Sequence, residues 1–508
     1  MNTGSKIATL EELADIVSRC RAEGKKVVHC HGVFDLLHIG HIRSFNQAGE
    51  IGDVVVVTVA CDQALGNGKT CPKFVEDLRA EAVASLGGVD YVAIATHVEL
   101  STILDMLSPD IYFKVIDHFK SKAEEQVEID AERTLCQAKG IRFELPLEST
   151  FNSTSVINKF ISSFPEHVQE YLHVFMSRYS LEEVFAVIDR MADLSVAVIG
   201  DAIIDDYRYC RTLGTSSKDP VLAVQYSRHD IFAGGILAVA NHVSNFCRQV
   251  DMYTVLGGKN DYRTFIEDSL NANVTPHFIV KENAPTIVKR RFVEGYSLNK
   301  MFEVYIMDDS GLNVEQDGQF REMLQRELPG YDLVIVADFG HGTISRATRQ
   351  TISDHAPFLA LNTQANSGNR GFNTVTQYKT AQYASIAEHE LRLETRDLDG
   401  DVSGLLDQVA DKMGVDLFVV TRGMRGSLVR SANGEQVSVP AFAHKVVDRV
   451  GAGDAFLSVT SMAAYLGCPP ELLGFIGNVV GALACEILGN QKSIEPRKLK
   501  AYLHDILQ

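Results

Sequence analysis

Two short stretches hold residues whose type and spacing could do chemistry. The first is HGVFDLLHIGHIRSF, residues 31–45, where His38 and His41 stand three apart around Gly40. Gly40 lets the backbone approach a ligand closely. An apolar-periodic helix begins at this turn, and a helix start offers unpaired N–H groups and a partial positive charge to phosphate. Two imidazoles there could donate hydrogen bonds to a phosphoryl group as its charge grows. A metal site would need a third ligand and the tighter register of H-E-x-x-H. Taken alone, H-x-x-H is more often a structural pair. The second stretch is VVDRVGAGDAF, residues 446–456. Gly451, Ala452 and Gly453 can form a turn whose N–H groups face an anion. Asp454 stands at the head of the following helix, where a carboxylate could take a proton from a hydroxyl. Alone, this is a glycine-rich loop with an aspartate cap.

The flanking patterns say what must position these groups. Around the histidines, KKVVHCHG, DVVVVTVACD and DYVAIAT read as strands, and HIRSFNQAGEIG and FVEDLRAEAVASLGG as helices. Strands alternating with helices imply parallel βαβ units. Residues 163–193 show helical periodicity and read as a helical connector. Alternation resumes at LSVAVIGDAIIDDYRY, with strands at DMYTVLG, DLVIVADFG, PFLALNT, AQYASIA and DLFVVTRG. The segment TIVKRRFVEGYSLNKMFEVYIMDD alternates like an antiparallel pair and fits a small lid sheet. The expectation is therefore two doubly wound α/β domains, residues 1–162 and 194–508, joined by the connector.

The first stretch resembles the signature N-G-x-F-D-x-x-H-x-G-H of the cytidylyltransferase-like nucleotidyltransferases, through Gly32, Phe34, Asp35, His38, Gly40 and His41. The resemblance implies a Rossmann-like domain. It also implies transfer of a nucleotidyl group from ATP or CTP to a phosphate ester, with pyrophosphate released. His38 and His41 would then contact the triphosphate and stabilise the pentacoordinate phosphorus. FNSTSVINKF looks like the family's late helix start, where Ser153, Thr154 and Ser155 would hold the triphosphate tail; the same residues also make a good helix cap. FKVIDH keeps Lys114 of the family's K-G-x-D/E-Y, but Val115 replaces its glycine. Cys71 replaces the arginine of the family's R-P pair, so Lys69, Lys73 or Arg79 would have to supply that charge.

The second stretch resembles the D-T-x-G-A-G-D-x-F signature of PfkB-type, ribokinase-like sugar kinases, through Asp448, Gly451, Ala452, Gly453, Asp454 and Phe456, with Arg449 for the threonine. The resemblance makes Asp454 the catalytic base and residues 451–453 the anion hole, with Mg²⁺ bridging the phosphates of ATP. It places Asp201, Asp205, Gly234 and Gly235 at the sugar. The asparagine usual after that glycine pair falls at Ala238, leaving Asn241 as the substitute. Thr421, Gly423 and Gly426 resemble the nucleotide loop, and Asn478 falls near an adenine edge. In SIAEHE, Ser385 stands where the family has asparagine and Glu388 remains to help arrange Mg²⁺. Lys289 and Arg291 would meet a phosphate on the substrate, or else form a solvated lid face. The polar stretch 361–378 replaces a D-P-K-like segment.

Both signatures in one chain resemble the bifunctional heptose kinase/ADP-heptose synthases, with the order of the domains reversed. The resemblance implies a bifunctional enzyme that phosphorylates a sugar or sugar phosphate and then attaches a nucleotide to it. Three other readings fit the same residues: one half degenerate, a CTP-dependent alcohol-phosphate cytidylyltransferase fused to a kinase, or a sensor that binds nucleotide or sugar without turnover. Bulk properties agree with small-molecule partners. The 508-residue chain carries a net charge of −18, which argues against nucleic acid and anionic membranes. It has no apolar run of membrane length and no secretory signal. Its nine scattered cysteines suit a reducing cytoplasm. An exposed lid sheet would favour a homodimer.

Overall fold

The structure is a computed structural model that describes residues 6–35, 37, 39–62, 74–95, 99–115, 122–146 and 164–507. His38, Lys69, Cys71, Lys73, Ser153, Thr154 and Ser155 lie outside the described residues. The chain forms two compact units, Met1–Ser163 and Phe164–Gln508.

In the first unit the strands are β1 (Ile7–Ala8), β2 (Val27–Gly32), β3 (Val54–Ala60), β4 (Tyr91–Ala95), β5 (Ile111–Phe113) and β6 (Arg142–Glu144). They form one sheet in the order β1-β4-β3-β2-β5-β6, with every pairing parallel. The sequence VVVVTVA makes β3 buried along its whole length, as a strand covered on both faces requires. The chain builds outward from β2 through β3 and β4 in one direction, then crosses to β5 and β6 in the other. The order therefore reverses between β2 and β5, and ligands of open α/β sheets bind at the carboxyl end of such a switch point. The histidine-bearing turn follows β2, and Lys114 follows β5.

The second unit contains β7 (Ser195–Gly200), β8 (Ala202–Thr215), β9 (Leu222–Gly235), β10 (Gln249–Lys259), β11 (Val274–Pro285), β12 (Ile287–Glu294), β13 (Lys300–Ile306), β14 (Leu333–Asp338), β15 (Leu359–Thr363), β16 (Tyr383–Ala387), β17 (Leu417–Thr421), β18 (Ser427–Ser431) and β19 (Gln436–Val439). Nine of them form the main sheet, β11-β10-β7-β14-β15-β16-β17-β18-β19, parallel as far as β17 and antiparallel beyond it. The other four form the lid, β13-β12-β8-β9. The antiparallel pair expected at 286–309 is β12 and β13. The lid is twice the size expected because VIGDAIIDDY is two strands, not one. β7 ends in the main sheet at Gly200, β8 begins in the lid at Ala202, and Asp201 alone separates them. Unbroken β-branched and apolar composition hides this change of sheet. Its marker is Gly200, where a Cβ would stand 2.2 Å from the carbonyl oxygen of Ala337.

The segment read as a connector holds the helices Glu166–Arg178 and Leu181–Arg190, the second started by a Ser180/Glu183 capping box. Val168, Leu172, Phe175, Val184 and Ile188 join the core that includes β7 and the helix Pro470–Cys485. Phe175 packs on Phe475 with ring centroids 4.0 Å apart. These helices are thus an outer layer of the second unit.

Candidate active sites

In the second unit, a cavity of about 200 Å³ opens where the lid meets the head of the helix Ala452–Tyr465. Asp205, Lys289 and Arg291 line it from the lid. Gly451, Gly453 and Asp454 line it from the helix head, together with Gly235, Phe339, Gln364 and Asn490. Gly451 is the N-cap with φ +81°, so the turn needs a residue without a Cβ. A Cβ at Gly451 would also stand 2.1 Å from Asn490 Oδ1. Gly451→Ala should therefore cost about 1–3 kcal/mol of stability, read as a lowered urea midpoint with an unchanged slope.

Asp454 is the most perturbed group at this cavity. Burial, reinforced by the charges of Asp205 and Glu390 and partly offset by Lys289, pushes its carboxyl up to about 7. A carboxyl with that value changes charge near neutrality and can take up a proton. Lys289 is buried, lies 5.3 Å from the Tyr305 ring centroid and 5.8 Å from that of Phe339, and is lowered by desolvation. Neither an ion pair nor a hydrogen bond holds its ammonium among the described residues. Arg291 is ion-paired with Asp205. Asn490 Nδ2 donates to the other oxygen of Asp205 (3.2 Å). Gly234 makes room for that carboxylate, since a Cβ there would stand 2.2 Å from Asp205 Oδ2.

Asp448 holds the turn in shape. Its carboxylate accepts from Lys300 (2.5 Å), the Tyr207 hydroxyl (2.8 Å) and the N–H groups of Val450 and Gly489 (both 3.1 Å). Lys300 comes from β13, so the lid is fastened directly to the loop that precedes the 451–453 turn.

Other residues expected at this site stand elsewhere. Asp201 does not line the cavity: the N–H groups of Phe339, His341 and Thr343 donate to its carboxylate (3.1, 3.4 and 3.3 Å), pinning the joint between sheets. Asn241 donates to the Ser269 carbonyl (2.8 Å) and accepts from the N–H of Asn271 (2.9 Å), so it staples two helices. Asn478 donates to Ser427 Oγ (3.0 Å) and the Val439 carbonyl (3.1 Å), joining its helix to the β18–β19 hairpin. Glu388 is neutralised by Arg392 (2.9 Å) and Arg425 (2.5 Å). Glu390, two residues on, is the carboxylate whose charge reaches Asp454; it accepts from the N–H groups of Ala387 (2.7 Å) and Ala365 (2.9 Å). Thr421 ends β17, and Gly423 and Gly426 lie in the turn after it, at φ +58° and φ +78°. Asn490 had no motif to mark it, because it lies on a loop far in sequence from both signatures; Gln364 falls in the polar stretch 361–378, which stood out only as a departure from the family pattern.

In the first unit, the turn after β2 is built around Phe34, whose backbone takes φ +54°. A non-glycine residue there is strained, and burial of the ring holds it in place. The Phe34 ring folds over Gly32, where a Cβ would stand 2.9 Å from it. It then packs edge-on against His41 (5.7 Å) and against Phe45 (5.5 Å). His41 is 2 % exposed and lies in the first turn of the helix Ile39–Ile51, beside Gly40. Asp35 accepts the N–H of Phe74 (2.9 Å), tying the turn to the start of the helix Glu76–Ala84.

Two expectations for this unit change. Arg79 cannot replace the missing arginine as a phosphate ligand. It is 1 % exposed, and it donates to the carbonyls of Phe74, Val33 and Ala60 and to Asp62. Lys114 is held by Glu132 at 2.7 Å. Val115 is buried and does not adopt a positive φ, so the backbone after Lys114 has no need of the family glycine.

Two family models match the chain one after the other. Residues 29–166 match the model of the cytidylyltransferase-like family, and residues 193–497 match that of the pfkB family carbohydrate kinases. The bifunctional protein HldE of Citrifermentans bemidjiense is 34% identical over 166 residues, 32% of this chain and 33% of that protein. HldE of Trichlorobacter lovleyi is 25% identical over 338 residues, 64% of this chain and 65% of that protein. The chain thus spans between a third and two-thirds of the length of these curated relatives. Phosphofructokinase-2 from Escherichia coli, solved in complex with potassium, superposes with a TM-score of 0.51 at 14% identity, covering 61% of this chain and 99% of that one. That likeness shows the ribokinase-like fold of the second unit. With a family match running through most of the second unit and over more than half of its whole length, the chain belongs to the pfkB family of carbohydrate kinases.

Proposed function

We propose that the chain is a bifunctional enzyme of nucleotide-sugar synthesis. The second unit phosphorylates a sugar or sugar phosphate with ATP. The first links the resulting phosphate to a nucleotide and releases pyrophosphate. The observation that carries the kinase half is the Asp454 carboxyl, poised near neutrality in a cavity that also presents Lys289 and Arg291. A sugar hydroxyl beside Asp454 gives up its proton as it attacks the γ-phosphorus. The N–H groups of the 451–453 turn then face the developing charge. Lys289, which no ion pair or hydrogen bond holds among the described residues, and Arg291 take the oxyanion of a substrate that already bears a phosphate, and this favours a sugar phosphate such as a heptose phosphate. Mg²⁺ bound to ATP would neutralise phosphate charge.

For the transferase half, the support is His41 in a helix first turn at the sheet's switch point, braced by a strained Phe34. There it binds the triphosphate of ATP or CTP, with Gly40 allowing close approach. A second reading, in which this half no longer turns over, is favoured by one observation: Glu132 occupies Lys114. Homodimerisation through the lid is supported by Leu213, Leu222, Tyr226, Phe302 and Val304, which leave apolar surface exposed on it. No helix among the described residues is long and apolar enough to cross a membrane, and a cytoplasmic location is part of the proposal.

The test is a screen of sugars and sugar phosphates with ATP and CTP, read by mass spectrometry. A sugar 1-phosphate followed by a nucleotide sugar is the expected result. Sugar 1-phosphate without nucleotide sugar, under either nucleotide, would support the second reading. Tight binding with no product at all would sink the proposal.

A further inference from the structure

We infer that the second unit has another ligand site, separate from the Asp454 cavity, for a small molecule bearing a carboxylate or phosphate group. It lies between the helix Ile236–Ser244, the helix Arg263–Ser269 and the segment 490–495. The cavity measures about 510 Å³, against about 200 Å³ for the Asp454 cavity. That is within the usual range for small-molecule sites. The two cavities have one lining residue in common, Asn490.

His242 carries the inference. It lines the cavity and is only 3 % exposed. The N–H of Ile494 donates to its Nδ1 (3.0 Å). That bond fixes the tautomer: Nδ1 is the acceptor, so in the neutral ring Nε2 bears the proton. Burial lowers the imidazole to about 4, which keeps it neutral at physiological pH. The Nε2–H therefore stands as a committed donor, and no acceptor meets it among the described residues. That nitrogen is not sealed in protein: it opens on the cavity, where a ligand acceptor can take the place of water.

The rest of the wall says which ligand. Lys492 is exposed at the rim and has no ion pair among the described residues, so a cation and an N–H donor face the same space. Glu495, also on the wall, is the N-cap residue of the helix Pro496–Ile506, at that helix's positive end, and its side chain makes no capping hydrogen bond. Phe232 and Phe265 offer apolar surface for the carbon body of the ligand. Two donors and two rings lining one cavity suit an organic oxyanion.

Isothermal titration of the full chain with inorganic phosphate and with malonate, and with glycerol as a neutral comparison, tests this. At least one of the two anions should show a binding event that Lys492→Ala weakens tenfold or more and that Lys289→Met leaves in place. His242→Phe should abolish the same event; Lys492→Ala keeps the test decisive if that variant fails to fold. Whichever anion binds more tightly identifies the source of the oxyanion. Isotherms that Lys492→Ala does not change, or equal binding of glycerol, overturn the inference. Should the chain prove inactive on every sugar while a Lys492-dependent event persists, the proposed function fails and this site stands.

Discussion

Asp454→Asn should lower sugar-dependent ATP turnover by about 10³–10⁴-fold while leaving ATP affinity nearly unchanged, because a general base contributes mainly in the transition state. The substitution keeps shape and hydrogen-bonding capacity and removes only the titratable oxygen. In the native enzyme the carboxyl, pushed up to about 7 by burial and by Asp205 and Glu390, must be ionised to act. The rate should therefore fall about tenfold per pH unit below 7 and level off above it. Stability has the opposite slope. Between the ordinary carboxyl value and about 7, the folded state holds a proton that the unfolded state has released, so this group makes the fold less stable as pH rises through that window. Asp454→Asn should accordingly melt higher than wild type at pH 8 and no higher at pH 4. A variant that is inactive and also less stable at pH 8 would mean that Asp454 is a structural residue.

His41→Ala should lower pyrophosphate release with the sugar 1-phosphate substrate by about 10²–10³-fold, the usual loss when one preorganised donor to a developing oxyanion is removed. Kinase turnover should stay at the wild-type rate, because Asp454 lies in the other unit. The substitution also takes away the edge contact with Phe34, whose strained backbone depends on its packing. His41→Leu separates the two effects, since it restores much of the bulk and the apolar contact but no donor. Recovery of folding without recovery of turnover would assign the histidine to phosphate. Recovery of both would assign it to packing.

Much of this was legible in the sequence, and the rest failed for physical reasons. The parallel sheet around β3 follows from a run of buried valines, and the helix after Gly451 from its glycine cap. Asp454, Lys289, Arg291 and Asp205 were all marked by motif or charge, and the fold gathers them at one cavity. Asp201 and Asn241 have the right chemistry in the right order along the chain, yet backbone groups claim them, and hydrogen-bond partners are set by tertiary neighbours rather than by spacing. Glu388 and Glu390 differ by two positions and by their surroundings: two arginines hold one, and the other is buried where its field reaches Asp454. Asn490 is invisible beforehand, because its importance rests on a contact with Gly451 across the fold.

The single-residue joint at Asp201 makes the lid a lever. β8 runs 14 residues beyond it, about 45 Å at the rise of an extended strand, whereas Asp205 sits only about 13 Å out. Three backbone amides clamp the fulcrum. A displacement of about 3–4 Å at the far tip is geared down to about 1 Å at Asp205, a shift large enough to misplace reacting groups. Whatever grips the tips of β8 and β9 therefore sets the alignment at Asp454 from outside, with a mechanical advantage of about three.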